Sequence, residues 1–148
     1  MNQIQPVEQE INKFVQPNTH KPDTMKLLIV DDERDIEQLY RLSFRKEIKE
    51  GRLQLMFAFS GSEALEVMAT LEPMDVVLLL SDINMPGMTG FDLLQITKEK
   101  YPYLKIFMVS AYGDMSNQSR AKNLGADDFV TKPVDFTLLR EKIFELEA

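Results

Sequence analysis

The stretch DVVLLLSDINMPGMTG, Asp75 to Gly90, decides how the rest of the chain is read. Its largely apolar run, Asp75 to Leu80 (DVVLLL), lacks the polar alternation of a half-exposed strand, so it suits a strand buried on both faces, as in a parallel sheet. The run turns polar at Ser81 and Asp82. Pro86 and Gly87 then suit a tight turn that brings backbone close to the acid. Thr89 with Asp92 resembles a capping box opening a helix. Strand, acid, turn and helix in that order are half of a βαβ unit.

The same organisation recurs on either side. Leu27 to Val30 (LLIV) and Leu104 to Val109 (LKIFMV) are apolar runs of the same kind, and Leu53 to Phe59 and Phe129-Val130 are weaker strand candidates. Helical segments are expected at 33–49, 61–71, 90–100, 115–123 and 135–147. Ser60 with Glu63 can form another capping box, and Asp135 suits an N-cap just after Pro133. Phe136, Leu139, Ile143 and Phe144 then form a stripe facing the sheet. Five strands alternating with five helices imply right-handed crossovers and an α/β, doubly wound parallel sheet. In such sheets sites form at the carboxyl edge, where strands end and loops begin.

Composition bounds the function. The chain has 148 residues, 44% apolar and 28% charged, as expected for one globular domain with a real core. A net charge of −7 disfavours direct nucleic-acid binding. Arg41, Arg45, Lys46 and Lys49 read as the solvated end of one helix. Without cysteine there are neither disulfides nor thiolate metal sites, and the single histidine, His20, argues against a His-based metal centre or a Ser-His-Asp triad. The start MNQIQPVEQE is no secretory signal, and no run approaches the ~20 apolar residues of a bilayer span, so a cytoplasmic protein without membrane contact is expected.

Residues 1–25 are a polar leader holding Pro6, Pro17 and Pro22, ahead of a domain over 26–148. Within it Val7, Ile11, Phe14 and Val15 fall at i, i+4, i+7 and i+8. Two readings stand: a short amphipathic helix that docks on the domain or a partner, or a mostly disordered leader.

Chemistry concentrates at the expected strand ends. Asp31, Asp32 and Glu33 follow the first strand, Asp82 the third and Ser110 the fourth, and Lys132 ends the fifth. Carboxylates brought together are costly to keep ionised without a cation. Carboxylate oxygens are the ligands Mg²⁺ prefers. A lysine opposite them would attract a transferred phosphoryl group or the acid itself. Taken singly, Ser110 could cap local backbone, Lys132 could be a solvated surface lysine, and Glu33 a first-turn acid favoured by the helix dipole.

Four pieces in order, LLIVDDE at 27–33, SDINMPGMTG at 81–90, SAYGD at 110–114 and GADDFVTKPVD at 125–135, resemble the receiver domain of two-component response regulators, in particular the single-domain chemotaxis type. The resemblance covers 25–148. It implies a flavodoxin-like sheet of order 2-1-3-4-5 with five flanking helices. It also implies that Asp82 accepts a phosphoryl group from the phosphohistidine of a sensor kinase or histidine phosphotransfer protein. The resulting mixed anhydride is reactive enough to be discharged by water. By the same resemblance, Asp32, Asp82 and the main-chain carbonyl of Asn84 hold Mg²⁺, for which Mn²⁺ can substitute, and Asp31 binds it mainly through a water. The Asn84 side chain would bear on the lifetime of the phosphoryl group. Lys132 and Ser110 would meet its oxygens, small Ala111 would leave the site open, and the Lys132-Pro133 bond would be cis.

One position departs from many relatives: the switch aromatic is Phe129 instead of Tyr, without a phenolic hydroxyl. Coupling from Ser110 would then run through packing, to a face made by the helix at 115–123, the fifth strand and the last helix. A second copy or a downstream protein would dock there. Catalysis would be limited to the domain's own phosphorylation and dephosphorylation. No DNA-binding or cyclase segment is expected from the residues at hand. The natural protein is either free-standing, which the initial Met favours, or longer. A haloacid-dehalogenase-type phosphohydrolase would want an acid at Asn84, and a flavodoxin a Gly-rich phosphate loop where DDERD stands. A never-phosphorylated pseudo-receiver would lack one of the key residues, and none is lacking.

Overall fold

The computed structural model describes residues 24–111 and 114–146. The amphipathic spacing of residues 7–15 and His20 lie outside the described residues. Five strands, β1 (Met25–Val30), β2 (Leu53–Ala58), β3 (Val76–Asp82), β4 (Lys105–Ala111) and β5 (Asp128–Lys132), form one sheet in the order β2-β1-β3-β4-β5. Every neighbouring pair is parallel. Crossovers between parallel strands require intervening helices. These are α1 (Ile36–Ser43), α2 (Arg45–Lys49), α3 (Gly61–Ala69), α4 (Gly90–Lys100), α5 (Met115–Asn123) and α6 (Phe136–Glu145).

The pleat sorts the apolar runs onto two faces, because successive side chains point to opposite sides. Leu27, Ile29, Leu78, Leu80 and Phe107 pack under α1, α2 and α6, meeting Tyr40, Phe44, Leu139 and Ile143. Leu28, Val30, Leu79, Ile106 and Met108 pack under α3, α4 and α5, meeting Ala64, Met68, Phe91, Leu94 and Ala121. Two-sided burial is why β1, β3 and β4 are almost wholly apolar. Among the described residues, no helix is long and apolar enough to cross a membrane.

The caps hold largely as expected. Thr89 and Asp92 form a full capping box at α4. The Ser60 hydroxyl accepts from the Glu63 amide at 3.1 Å, but the Glu63 carboxylate reaches one residue further back, to the Phe59 amide at 2.8 Å. Asp135 accepts from the amides of Thr137 and Leu138. Each such cap is worth about 1 kcal/mol.

The single helix expected over 33–49 is corrected. The chain makes α1 and α2, which meet at Phe44, with φ −107° and ψ 20°. Phe44 is fully buried, with its ring 6.4 Å from that of Tyr40 and 5.9 Å from that of Phe136. Burying this ring decides the local path over the helical propensity of the segment. Because α1 starts only at Ile36, Glu33 is not a first-turn acid and lies in the preceding loop.

Candidate functional site

The site stands where β1, β3, β4 and β5 end. Asp82 is the last residue of β3, opposite Val109 of β4, and Lys132, the last of β5, lies opposite Ala111. Asp31 and Asp32 directly follow β1. Residues fifty apart in sequence are thereby placed at one edge.

Asp31, Asp32 and Asp82 each bring one carboxylate oxygen within 4.8 Å of the others. Asp31 and Asp82 are buried and Asp32 is exposed, so the cluster opens to solvent on one side. Lys132 Nζ bridges the buried pair, 3.2 Å from Asp82 Oδ2 and 3.4 Å from Asp31 Oδ2. Exposed Glu33 stands at 3.9 Å from the same ammonium. One cation therefore faces three acids, with Asp32 as a fourth in the carboxylate cluster.

The electrostatics follow. Burial first, then the Asp31 charge, raise the Asp82 carboxyl above the usual carboxylate range, against the lowering effect of Lys132 and a backbone hydrogen bond from Ile83. Burial works against the Lys132 ammonium, but Asp82 and Asp31 outweigh it and hold its pKa above the ordinary lysine value. Tyr40, beneath the site on α1, is held protonated above the ordinary phenol value, by burial first and then by Asp31 and Asp82. Tyr40 was not singled out from the sequence, because its apolar neighbours mark it only as a core aromatic.

A divalent cation fits this donor set. Three hard oxygen ligands converge with too little positive charge to balance them, and one side is open for further ligands. An acidic cluster capable of coordinating a divalent metal is thus present. The Ser110 hydroxyl is fully buried and lacks a hydrogen-bond partner among the described residues. A buried polar group left unpaired is costly, and a ligand oxygen can satisfy it. Asn84 and Ala111 are exposed in the rim. The Lys132-Pro133 bond is cis, as expected.

The loop after Asp82 is built for close approach. Gly87 has φ of +73°, a conformation that side chains disfavour. Gly90 sits so near Asp82 that a Cβ there would collide with the Asp82 carbonyl oxygen and the Ile83 backbone. Its amide donates to the Ile83 carbonyl at 2.8 Å. The sequence showed a glycine at this helix start but not what it touches.

Phe129 is half-buried and packs on the core beneath α3, α4 and α5. Met108 pairs with Phe129 and Ser110 with Thr131, so Ser110 and Phe129 share one face of the sheet. Met115, Ala121, Ala126 and Phe129 line an open groove beside them, of about 510 Å³.

Residues 27–144 match the family described as the response regulator receiver domain. The chain is 41% identical over 120 residues to the response regulator protein PilR of Pseudomonas aeruginosa, covering 80% of this chain and 25% of that one. It is 34% identical over 118 residues to sporulation initiation phosphotransferase F of Bacillus subtilis, covering 80% of this chain and 90% of that one. Among solved structures it resembles a CheY-like receiver domain protein from Methanospirillum hungatei, with 31% identity and a TM-score of 0.71 over 83% of this chain and 93% of that one. The chain spans between 24 and 30% of the first curated relatives it matches.

Proposed function

From the premise that the chain belongs to the response regulator receiver family, we propose that Asp82 is the phosphoryl-accepting residue of this two-component receiver domain. The observation that carries the assignment is the meeting of Asp31, Asp32 and Asp82 with Lys132 bridging Asp82 and Asp31.

The donor is the phosphohistidine of a sensor kinase or of a histidine phosphotransfer protein. An Asp82 oxygen attacks phosphorus as the phosphorus–nitrogen bond breaks, and the imidazole leaves. Such a transfer depends on alignment and charge neutralisation more than on covalent help. Asp82 is buried, fixed at a strand end, and short of compensating charge. Asp32, Asp82 and the Asn84 carbonyl would hold Mg²⁺, with Asp31 contributing through a water. When bound, the metal supplies positive charge against the phosphoryl oxygens. Lys132 moves from the carboxylate to one of those oxygens, and Ser110, whose hydroxyl lacks a partner among the described residues, hydrogen-bonds another.

Ser110 and Phe129 share a face of the sheet, which supports coupling by packing toward the groove between α5 and β5. A second copy or a downstream protein docks on the surface of α5, β5 and α6. Comparing structures with and without a phosphoryl mimic checks this, and an unmoved Phe129 ends it.

Incubation with acetyl phosphate and Mg²⁺, followed by intact mass, tests the assignment. A single phosphoryl adduct is expected, absent from Asp82→Asn and lost when EDTA replaces Mg²⁺. No adduct with either acetyl phosphate or phosphoramidate makes the domain a pseudo-receiver.

A further inference from the structure

The opposite edge of the sheet, where strands begin, carries a different surface. The amino ends of β3 and β4 and the carboxyl ends of α3 and α4 border a groove of about 450 Å³. Met68, Leu71, Pro73, Val76, Tyr101 and Leu104 give it an apolar lining. Beside and within it Met74 is 91% exposed, Tyr103 95% and Val76 48%. Contiguous apolar surface of this kind marks an interaction site, whereas single exposed apolar residues do not.

The chain enters the fold at this edge. Thr24 precedes β1, and its hydroxyl donates to the Gly51 carbonyl at 2.6 Å. Met25 is the register partner of Val76, and Lys26 pairs with Asp75 at 3.1 Å. Thr24, the first described residue, therefore stands one strand away from the groove. Neighbouring strands lie about 5 Å apart. Extended, the residues 16–23 reach roughly 25 Å, ample to bring residues 7–15 over it. That segment, VEQEINKFV, carries Val7, Ile11, Phe14 and Val15 at the spacing of one helical face, with Glu8, Glu10 and Lys13 elsewhere. The groove lining carries both signs, exposed Lys105 opposite in charge to Glu8 and Glu10 and Glu72 opposite to Lys13.

We propose that residues 7–15 of the chain occupy this groove, with Ile11 and Phe14 as apolar anchors. A tethered segment acts at an effective concentration near the millimolar range, above that of a separate partner or a second copy in dilute solution. The groove lies at the edge away from Asp82, so a docked leader leaves the phosphoryl site open. The proposal therefore stands apart from the assignment of Asp82.

The chain has no cysteine, so a pair placed in the full-length protein reports on this contact alone. Phe14→Cys with Val76→Cys is compared, under mild oxidation, with Phe14→Cys with Leu42→Cys, since Leu42 is exposed on α1 across the sheet. The groove pair is expected to form an intramolecular disulfide about tenfold faster or more than the control. Equal rates overturn the proposal, and a groove pair that yields only disulfide-linked dimers assigns the groove to a second copy. Hydrogen exchange gives an independent reading without cysteines. Amides at 71–76 and 101–105 should exchange faster in full-length Ile11→Asp/Phe14→Asp than in the wild type. Unchanged exchange overturns the proposal as well.

Discussion

Asp82 and Glu47 are each 5% exposed and each faces a basic side chain, but their surroundings treat the charge in opposite ways. Glu47, on α2, has Arg140 of α6 to itself. The guanidinium donates from Nε to Glu47 Oε2 at 2.7 Å and from a terminal nitrogen to the Ser43 carbonyl at 2.6 Å, and it lies over the Phe44 ring at 5.1 Å. Among the described residues, only Glu47 Oε1 of this group is left without a partner. Asp82 instead shares one ammonium with Asp31 and Glu33. The charge that ties two helices together has a guanidinium of its own, whereas the buried acids at the sheet edge share one ammonium and are left short of neutralisation.

The sharpest way to break this contrast is to remove the guanidinium. Arg140→Ala leaves the Glu47 carboxylate buried and unpaired, and should cost about 3 kcal/mol in urea unfolding. Replacing both partners, Glu47→Leu with Arg140→Met, should recover most of that loss. A cost for Arg140→Ala no larger than an exposed substitution would show that the pair holds nothing.

Asp82→Asn should move stability the other way, raising it at pH 7 in EDTA. Because the folded carboxyl is raised, the native state binds more protons than the unfolded one between the ordinary carboxylate value and the raised one. Wild-type stability therefore falls as pH rises through that window, and the variant escapes the fall. The advantage of Asp82→Asn should vanish as pH drops below the ordinary carboxylate range. The raised Lys132 contributes stability throughout that window and loses it only above the ordinary lysine value, so it does not mask the trend.

A smaller effect is expected for Lys132→Ala. Without its ammonium the acid cluster should bind Mg²⁺ a few-fold more tightly by calorimetry, about 1 kcal/mol or less. Phosphorylation by acetyl phosphate should fall in the same variant. Weakened metal binding would mean that Lys132 organises the acids instead of competing for them.

Strand identity was legible where burial is two-sided. Leu27 to Val30 and Val76 to Leu80 are apolar because helices cover both faces, and their pattern needs no long-range knowledge. At the sheet edge β5 showed only Phe129-Val130, since its remaining residues are not fully buried. The acids were legible because each stands directly at a strand end. The Lys132 bridge between Asp31 and Asp82 depends on strand order, which the alternation of elements does not supply and the family resemblance does. The break at Phe44 was hidden because RLSFRKEIK is helix-compatible throughout, and the packing of Phe44 against Tyr40 and Phe136 comes from elsewhere in the chain. Glu47 and Arg140, ninety-three residues apart, each read as one more charge on a helical surface.

Gly90, admitted against the Asp82 carbonyl only because it has no side chain, donates to Ile83 and clasps the loop 83–89 at its base. The crown of that loop is then free to vary without disturbing the mounting of the acid. A substitution at Asn84, exposed on that crown, should therefore leave the backbone that mounts Asp82 where it is.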